Sequence, residues 1–460
     1  MNPRLDAPAV FLVGLAVRLV FIHLHPIIFG GDTVLRLANK DHVLLAYQLP
    51  VLQAAIWTVS RFTDELLAIR YLMALSGAAA GAGFYLLSRH FLDRRGALSA
   101  TLLLATNPFL IQLSIVPYQE IPMLAALLFA AHFYLRARHA AAGVALGVAC
   151  LTRYEAWIAC PVMAVAWLRE RGWSTRRIAQ ALVLFGWAPL AWMLVHGGFS
   201  AGGTFVIEWP ASPERVVRWA YLGWIVVKNT PPPVLLLAAL GTWCVWRDGL
   251  WRDRRLQALA GFLALLLISI LFSAHGVSPD PERFVASREA TLPIAAAVLL
   301  AGVAARLRFG VVLVVAGALW GLLDTQRFIV RDTSEPHVRL SYELARYLDG
   351  AVGAGQKVVV LARPAPPELV QSYLDKVRAR GGDAGVEQAR AHMASMDISP
   401  PDYQRTLIHS RLGRARLLPS PEAGADWIAA WSDYEPEQAG DAPVKVLKAG
   451  SLSVSLYRRR

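Results

Sequence analysis

Apolar runs alternate with short polar links from residue 8 to residue 323, and many of the runs approach the roughly 20 residues that cross a bilayer as a helix. The pattern predicts about eleven such helices: 8–29, 66–87, 97–113, 121–135, 140–154, 156–168, 178–196, 233–246, 256–273, 290–305 and 311–323. Two longer stretches break the rhythm. Residues 30–65 contain amphipathic or short apolar pieces at 34–43 and 49–62, which read as helices lying in the membrane interface. Residues 197–232 contain a similar run at 216–227, with Trp219 and Trp224 as interface anchors. Reading 45–62 as a span would invert every later segment and put the basic link 89–95 outside, so the interfacial reading is kept.

Beyond residue 323 the periodicity changes. Residues 341–348 continue a polar helical run, and 357–362 (KVVVLA) have the pattern of a short buried strand. Residues 367–378 predict an amphipathic helix opened by prolines. Residues 444–447 and 451–456 predict a terminal hairpin turning at Ala449-Gly450. The expected fold is therefore a membrane-embedded all-α bundle over 1–323, with interface helices at 30–65 and 197–232, followed by a small soluble α/β domain over 324–460.

Charge gives the bundle a direction. Arginines crowd every second link: Arg89, Arg94 and Arg95; Arg136 and Arg138; Arg169, Arg171, Arg176 and Arg177; Arg247 to Arg255; Arg306 and Arg308. Basic links stay cytoplasmic. The other links, which hold Asp32, Glu120, Glu155 and Arg288, are then outside, together with the C-terminal domain.

Composition agrees. The 460 residues are 56% hydrophobic and only 17% charged, whereas soluble domains carry about 25% charged residues. The net charge of +13 is largely accounted for by the basic links, so no nucleic-acid partner is read from it. The three cysteines, Cys150, Cys160 and Cys244, fall in or beside apolar runs and read as buried thiols. No Asn-x-Ser/Thr acceptor occurs, which favours a bacterial inner membrane.

The outer links carry the candidate chemistry. Gly30-Gly31-Asp32 follows the first helix, with Arg36 and Lys40 on the next turns. Asp32 is either a helix cap or a reacting carboxylate, and the two roles are compatible. Glu120 sits at the mouth of the helix over 121–135, where a helix dipole favours an acid. Arg153 and Glu155 flank Tyr154, and an ion pair between them is the plainer reading. Arg283 and Arg288 can hold a phosphate or merely a lipid headgroup. Ionisable groups this close to hydrocarbon are functional candidates by default. Arg18 lies near the membrane middle and should face the bundle. His25, Asp32 and His42 match no tight metal spacing. No metal is assigned, and a divalent ion stays open.

The ordered set of these features resembles the GT-C glycosyltransferases, in particular the members similar to protein O-mannosyltransferases and the aminoarabinose transferase of lipid A. An early acid (Asp32) is followed by Gln48-Leu49-Pro50, then Ala-Ile-Arg-Tyr-Leu around Arg70. Thr-Asn-Pro-Phe (106–109) comes next, then an acid at a helix start (Glu120) and Leu-Thr-Arg-Tyr-Glu (151–155). The series ends in Arg-x-x-x-Leu-Pro from Arg288. This chain has Asp32-Thr33 where the family commonly has Asp-Glu.

The resemblance implies a polyprenyl-phosphate-linked sugar donor and a lipid, glycan or protein acceptor at the outer leaflet. Asp32 would act as general base. Glu120, Arg153, Glu155, Arg283, Arg288, Arg36 and Lys40 would bind substrate. A transporter or flippase is the chief rival, but such proteins place polar sites near the midplane. Here the acids sit at the outer mouths.

Overall fold

The computed structural model is mostly helical, with a small sheet towards its C-terminal end. It describes residues 5–43, 49–63, 66–195, 205–207, 222–275, 290–353, 355–361, 401–410, 417–418, 425–431 and 442–458, with scattered positions from 371 to 387. In chain order the first helices are α1 (Asp6–Leu24), α2 (Gly31–Ala38), α3 (Pro50–Ser60), α4 (Leu66–Ser88), α5 (Arg94–Ala105), α6 (Pro108–Ser114), α7 (Glu120–Leu135) and α8 (His139–Cys150). A 3-10 turn, Tyr154–Ile158, leads to α9 (Ala159–Arg171), α10 (Thr175–Phe185) and α11 (Trp187–Val195). Then come α12 (Leu222–Lys228), α13 (Pro232–Arg247), α14 (Arg254–Phe272), α15 (Thr291–Ala304), α16 (Gly310–Thr333), α17 (Pro336–Ala351) and α18 (Pro401–His409).

These elements fall into two compact units. The first is Met1–Leu24, Val43–Thr58 and Leu67–Arg327; the second is His25–His42, Val59–Leu66 and Phe328–Arg460.

Among the described residues, three helices are long and apolar enough to cross a membrane: α1, α4 and α16. The number rises to six if each of three bent pairs counts as one span. One side of α1 exposes Leu12, Val13, Val20 and Leu24, while Gly14, Arg18, Phe21 and Ile22 are buried. This is a lipid-facing stripe opposite a packed one.

Small residues let the helices approach closely, as expected where lipid tails offer no hydrophobic contrast. A Cβ on Gly241 of α13 would lie 1.9 Å from the carbonyl oxygen of Leu300 on α15. Gly77 of α4 leaves room for Arg18, whose Nε would be 2.1 Å from a Cβ there.

The bends are where hydropathy and structure part. The run 97–113 is not one rod: α5 and α6 meet at 61°. Asn107 caps α6 by accepting from the Leu110 N–H at 3.1 Å, and Pro108 occupies its first turn. A new cap and a proline together stop one helix and start another. Likewise the run 178–196 is α10 and α11 at 73°, broken at Gly186. The prolines 231–233 separate α12 from α13 by 117°. α16 runs ten residues past the expected end at 323.

The second unit is a five-stranded mixed sheet with helices. Its strands β3 (Val358–Leu361), β4 (Leu417–Leu418), β5 (Trp427–Trp431), β6 (Lys445–Ala449) and β7 (Leu452–Arg458) run in the order β4-β3-β5-β7-β6. Their numbering follows β1 (Phe205–Ile207) and β2 (Ser273–His275), a short antiparallel pair in the first unit. β3 is parallel to β4 and β5, and β7 is antiparallel to β5 and β6. Every residue of β3 is buried, as the unbroken apolar run predicted. The hairpin β6–β7 turns at Gly450, whose φ of +60° suits glycine. Leu340, Leu344 and Leu348 of α17 pack on Val358, Val360, Trp427, Ala429 and Trp431. The predicted helix at 367–378 lies mostly outside the described residues.

Candidate functional site

The structure gathers three of the sequence candidates into one ionic cluster in the first unit. Glu120 begins α7, where the free N–H groups of the first turn favour a carboxylate. Arg153 follows α8 in an extended conformation (φ −149°, ψ 146°), which carries its side chain away from the helix it has just left. Glu155 opens the 3-10 turn that follows.

Arg153 Nε donates to Glu155 Oε2 at 2.9 Å, and its two terminal nitrogens bond to Glu155 Oε1 and Glu120 Oε1. One guanidinium thus holds Glu155 through a fork and reaches Glu120 with the remaining arm. Glu120 is 1% exposed, Arg153 11% and Glu155 13%. With all three ionised the cluster sums to one negative charge.

The turn bearing Arg153 is braced on several sides. Its amide donates to the Ala149 carbonyl at 3.0 Å. Trp157 Nε1 donates to the Cys150 carbonyl at 2.9 Å, and Tyr154 packs edge-on against Trp157. The Val51 amide donates to the Leu151 carbonyl at 3.1 Å, so the start of α3, just after Gln48-Leu49-Pro50, is tied to Leu-Thr-Arg-Tyr-Glu. Cys150 and Cys160 are free thiols with sulfurs 3.4 Å apart beneath this turn.

Asp32, Arg36 and Lys40 belong to the second unit. Gly30 has φ +85°, a conformation that glycine tolerates, and it redirects the chain into α2. The Val34 amide donates to the Gly30 carbonyl at 3.2 Å, and Thr33 Oγ1 donates to the same oxygen at 2.6 Å. Asp32 therefore stands in the first turn of α2. Arg36 is buried and Lys40 half-buried on the same segment. α2 packs against α18, and the Ile28 amide donates to His409 Nε2 at 3.3 Å.

Arg283 and Arg288 lie outside the described residues, as does the start of Arg-x-x-x-Leu-Pro. Among the described residues, no three His, Cys, Asp or Glu side chains converge on a common point that could hold a metal ion.

Two further arginines are buried in the first unit. Arg18 Nε donates to Ser114 Oγ at 2.7 Å and its Nη1 to the Gly14 carbonyl at 2.9 Å, as its expected inward orientation requires. Arg70 Nε donates to the Ile115 carbonyl at 2.8 Å. Both meet the C-terminal end of α6, where helix carbonyls present negative charge. The arginine-rich links hold a cluster that the sequence reading did not pair: Arg94 makes two 2.7 Å hydrogen bonds to Asp6, which also accepts from Tyr85 at 2.7 Å. An acid and a base 88 positions apart give no local signal.

Residues 48–196 match the family of dolichyl-phosphate-mannose-protein mannosyltransferases. No curated protein matches the sequence. Among solved structures, ArnT from Cupriavidus metallidurans in the apo state aligns with a TM-score of 0.54 at 14% identity, covering 99% of this chain and 98% of its own. The same protein bound to undecaprenyl phosphate gives a TM-score of 0.54 at 14% identity, covering 98% of both chains. The apo oligosaccharyltransferase of Archaeoglobus fulgidus aligns at a TM-score of 0.42 and 13% identity, over 78% of this chain and 62% of its own. Residues 48–196 thus match that mannosyltransferase family, and the chain shares the fold of ArnT across nearly its whole length.

Proposed function

We propose that this protein is an integral-membrane glycosyltransferase that moves a sugar from a polyprenyl-phosphate donor to an extracytoplasmic acceptor. The observation that carries the reading is the shared fold with ArnT across almost the full length of both chains, ArnT being a protein that has been solved bound to undecaprenyl phosphate. The match of residues 48–196 to a family that uses a dolichyl-phosphate sugar points to the same donor class.

The reaction is a single displacement. An acceptor hydroxyl or amine attacks the anomeric carbon and gives its proton to the Asp32 carboxylate. The bond from that carbon to the phosphate oxygen breaks, and the polyprenyl phosphate leaves with the electron pair, so configuration inverts. Positive charge develops on the sugar in passing. A general base contributes roughly 10²–10⁴-fold. The leaving phosphate needs fixed cations, and Arg283 and Arg288 are assigned to it. Arg36 and Lys40, on the segment that carries Asp32, are assigned to substrate binding. Glu120 and Glu155 hold Arg153, so this trio orients sugar or acceptor at the mouth of α7 more readily than it supplies a free cation.

In this reading about eleven segments cross a bacterial inner membrane, and residues 324–460 form a soluble domain on the outer side. Asp32→Asn in purified, reconstituted protein is the test. Turnover should fall at least a hundredfold with the folding profile unchanged; wild-type turnover would remove Asp32 as the base. Mass spectrometry of envelope glycans from a strain lacking the gene should show one missing sugar substituent.

A further inference from the structure

Residues 25–30 join α1 to α2 without belonging to a helix or strand, so a buried amide among them must find its partner elsewhere. Ile28 is fully buried and Phe29 nearly so. The Ile28 amide donates to His409 Nε2 at 3.3 Å, across 381 positions of sequence. Nε2 accepts only while it carries no proton, so the neutral imidazole keeps its hydrogen on Nδ1.

His409 is itself held in place. It is the last residue of α18, and its ring meets Tyr342 of α17 edge-on, with centroids 5.1 Å apart and planes at 84°. Arg346 Nη1 donates to the Tyr342 hydroxyl at 3.4 Å. The next residue, Ser410, donates its hydroxyl to Asp349 Oδ1 at 2.9 Å. α17 thus grips the end of α18 at two adjacent residues, and Leu340, Leu344 and Leu348 seat α17 on the sheet.

Beyond Ile28 the backbone has little freedom before it reaches Asp32. Gly30 turns the chain at φ +85°, and its carbonyl accepts from the Val34 amide and the Thr33 hydroxyl. These bonds close the first turn of α2, where Asp32 stands. A fixed Ile28 therefore fixes the backbone that carries Asp32. A general base must lie within hydrogen-bond reach of the proton it takes, and a displacement of about 1 Å can cost about 10²-fold in rate.

We propose that His409 is the positioning residue for Asp32: through Ile28, the C-terminal α/β unit holds the turn that presents the general base. This gives the domain beyond residue 323 a part in the transfer. The proposal rests on Asp32 being the base, and its test includes an arm that needs no turnover.

Two amide variants separate the acceptor atom from polarity alone. Glutamine places its carbonyl oxygen near the position of Nε2, whereas asparagine is one methylene too short and comes nearer Nδ1. Hydrogen exchange is followed on the full-length protein in phosphatidylcholine nanodiscs. In His409→Asn, peptides covering 26–34 should exchange at least tenfold faster than in the wild type, with peptides covering β3 and β5 unchanged. His409→Gln should stay within threefold of the wild type. Each variant is also returned to the strain lacking the gene, and restoration of the missing envelope substituent is measured by mass spectrometry per unit of protein in the membrane. His409→Asn should restore it at least tenfold more slowly, and His409→Gln should rescue to within threefold. Unchanged exchange over 26–34 in His409→Asn overturns the proposal, as does equal behaviour of the two amides. Wild-type restoration by His409→Asn despite faster exchange overturns it too. Wild-type restoration by Asp32→Asn removes the base assignment and with it the part in transfer, and the exchange arm then tells that failure from a failure of the hold. Should His409→Asn loosen β3 as well, His409→Leu, which keeps bulk against Tyr342 and has no acceptor, takes its place in each comparison.

Discussion

Arg153 answers two carboxylates at once, so its loss should cost more than the loss of either acid. Removing one partner of a buried ion pair typically costs about 3–5 kcal/mol because a charge is left uncompensated. Arg153→Met should lower the unfolding midpoint of the solubilised protein by more than Glu155→Gln, which leaves Arg153 still paired with buried Glu120. Arg153→Lys keeps the charge but loses the fork and should fall between them. A second residue-scale prediction concerns pH. The hydrogen bond from Arg247, with Arg306 adding its charge, holds Asp248 below the usual carboxylate range. A depressed folded pKa stabilises above the unfolded value, about 3.9, and that stability is lost as pH falls through the folded value. Chemical unfolding at pH 6 and pH 3 should show a smaller difference in Asp248→Asn than in the wild type. The three members of the Arg153 cluster were legible individually, because each is an ion at a helix mouth. The sharing of one guanidinium between α7 and the turn after α8 was not, since it depends on the extended backbone at Arg153.

Between helices, contact is made by what is missing. The α13–α15 approach leaves no space at Gly241, and a methyl there must displace a backbone carbonyl. Gly241→Ala should destabilise by about 1–3 kcal/mol, as overpacking does. Gly261 on α14 is the control: a Cβ there meets nothing within 4 Å. Gly261→Ala should be neutral or gain up to about 1 kcal/mol from helix propensity, and paired thermal melts will separate the two. The same scale shows what hydropathy can and cannot read. It located α4, α7 and α13 to within a residue or two at each end. It merged α5 with α6 and α10 with α11, because an apolar run keeps its mean hydropathy through a bend. Asn107-Pro108 was visible as part of a family pattern, yet its meaning as a cap came only from the Leu110 amide. The bond from Val51 to Leu151 joins segments a hundred residues apart, and no periodicity predicts it.

Across the molecule, the C-terminal α/β unit was foreseen from the KVVVLA strand and the terminal hairpin. Its recruitment of residues 25–42 was not, since nothing in α2 announces α18 as its partner. That membership makes sidedness testable. Cys150, Cys160 and Cys244 are all buried, so introduced cysteines can be labelled above a low background. Asp41→Cys and Lys448→Cys belong to one unit and should react with an impermeant maleimide from the same side in intact cells. Arg306→Cys should react only after permeabilisation. Labelling of Asp41→Cys and Lys448→Cys from opposite sides would overturn the assigned topology. The pairing of α2 with α18 also sets a schedule. A ribosome delivers α18 only after the whole stretch from Gly31 to Pro401, on the order of twenty seconds to over a minute after α2 at about 5–20 residues per second. Until then the segment bearing Asp32 waits without its mate, so a product released early would carry its carboxylate on an unsupported loop. Incomplete chains should therefore be silent and the first targets of membrane proteases.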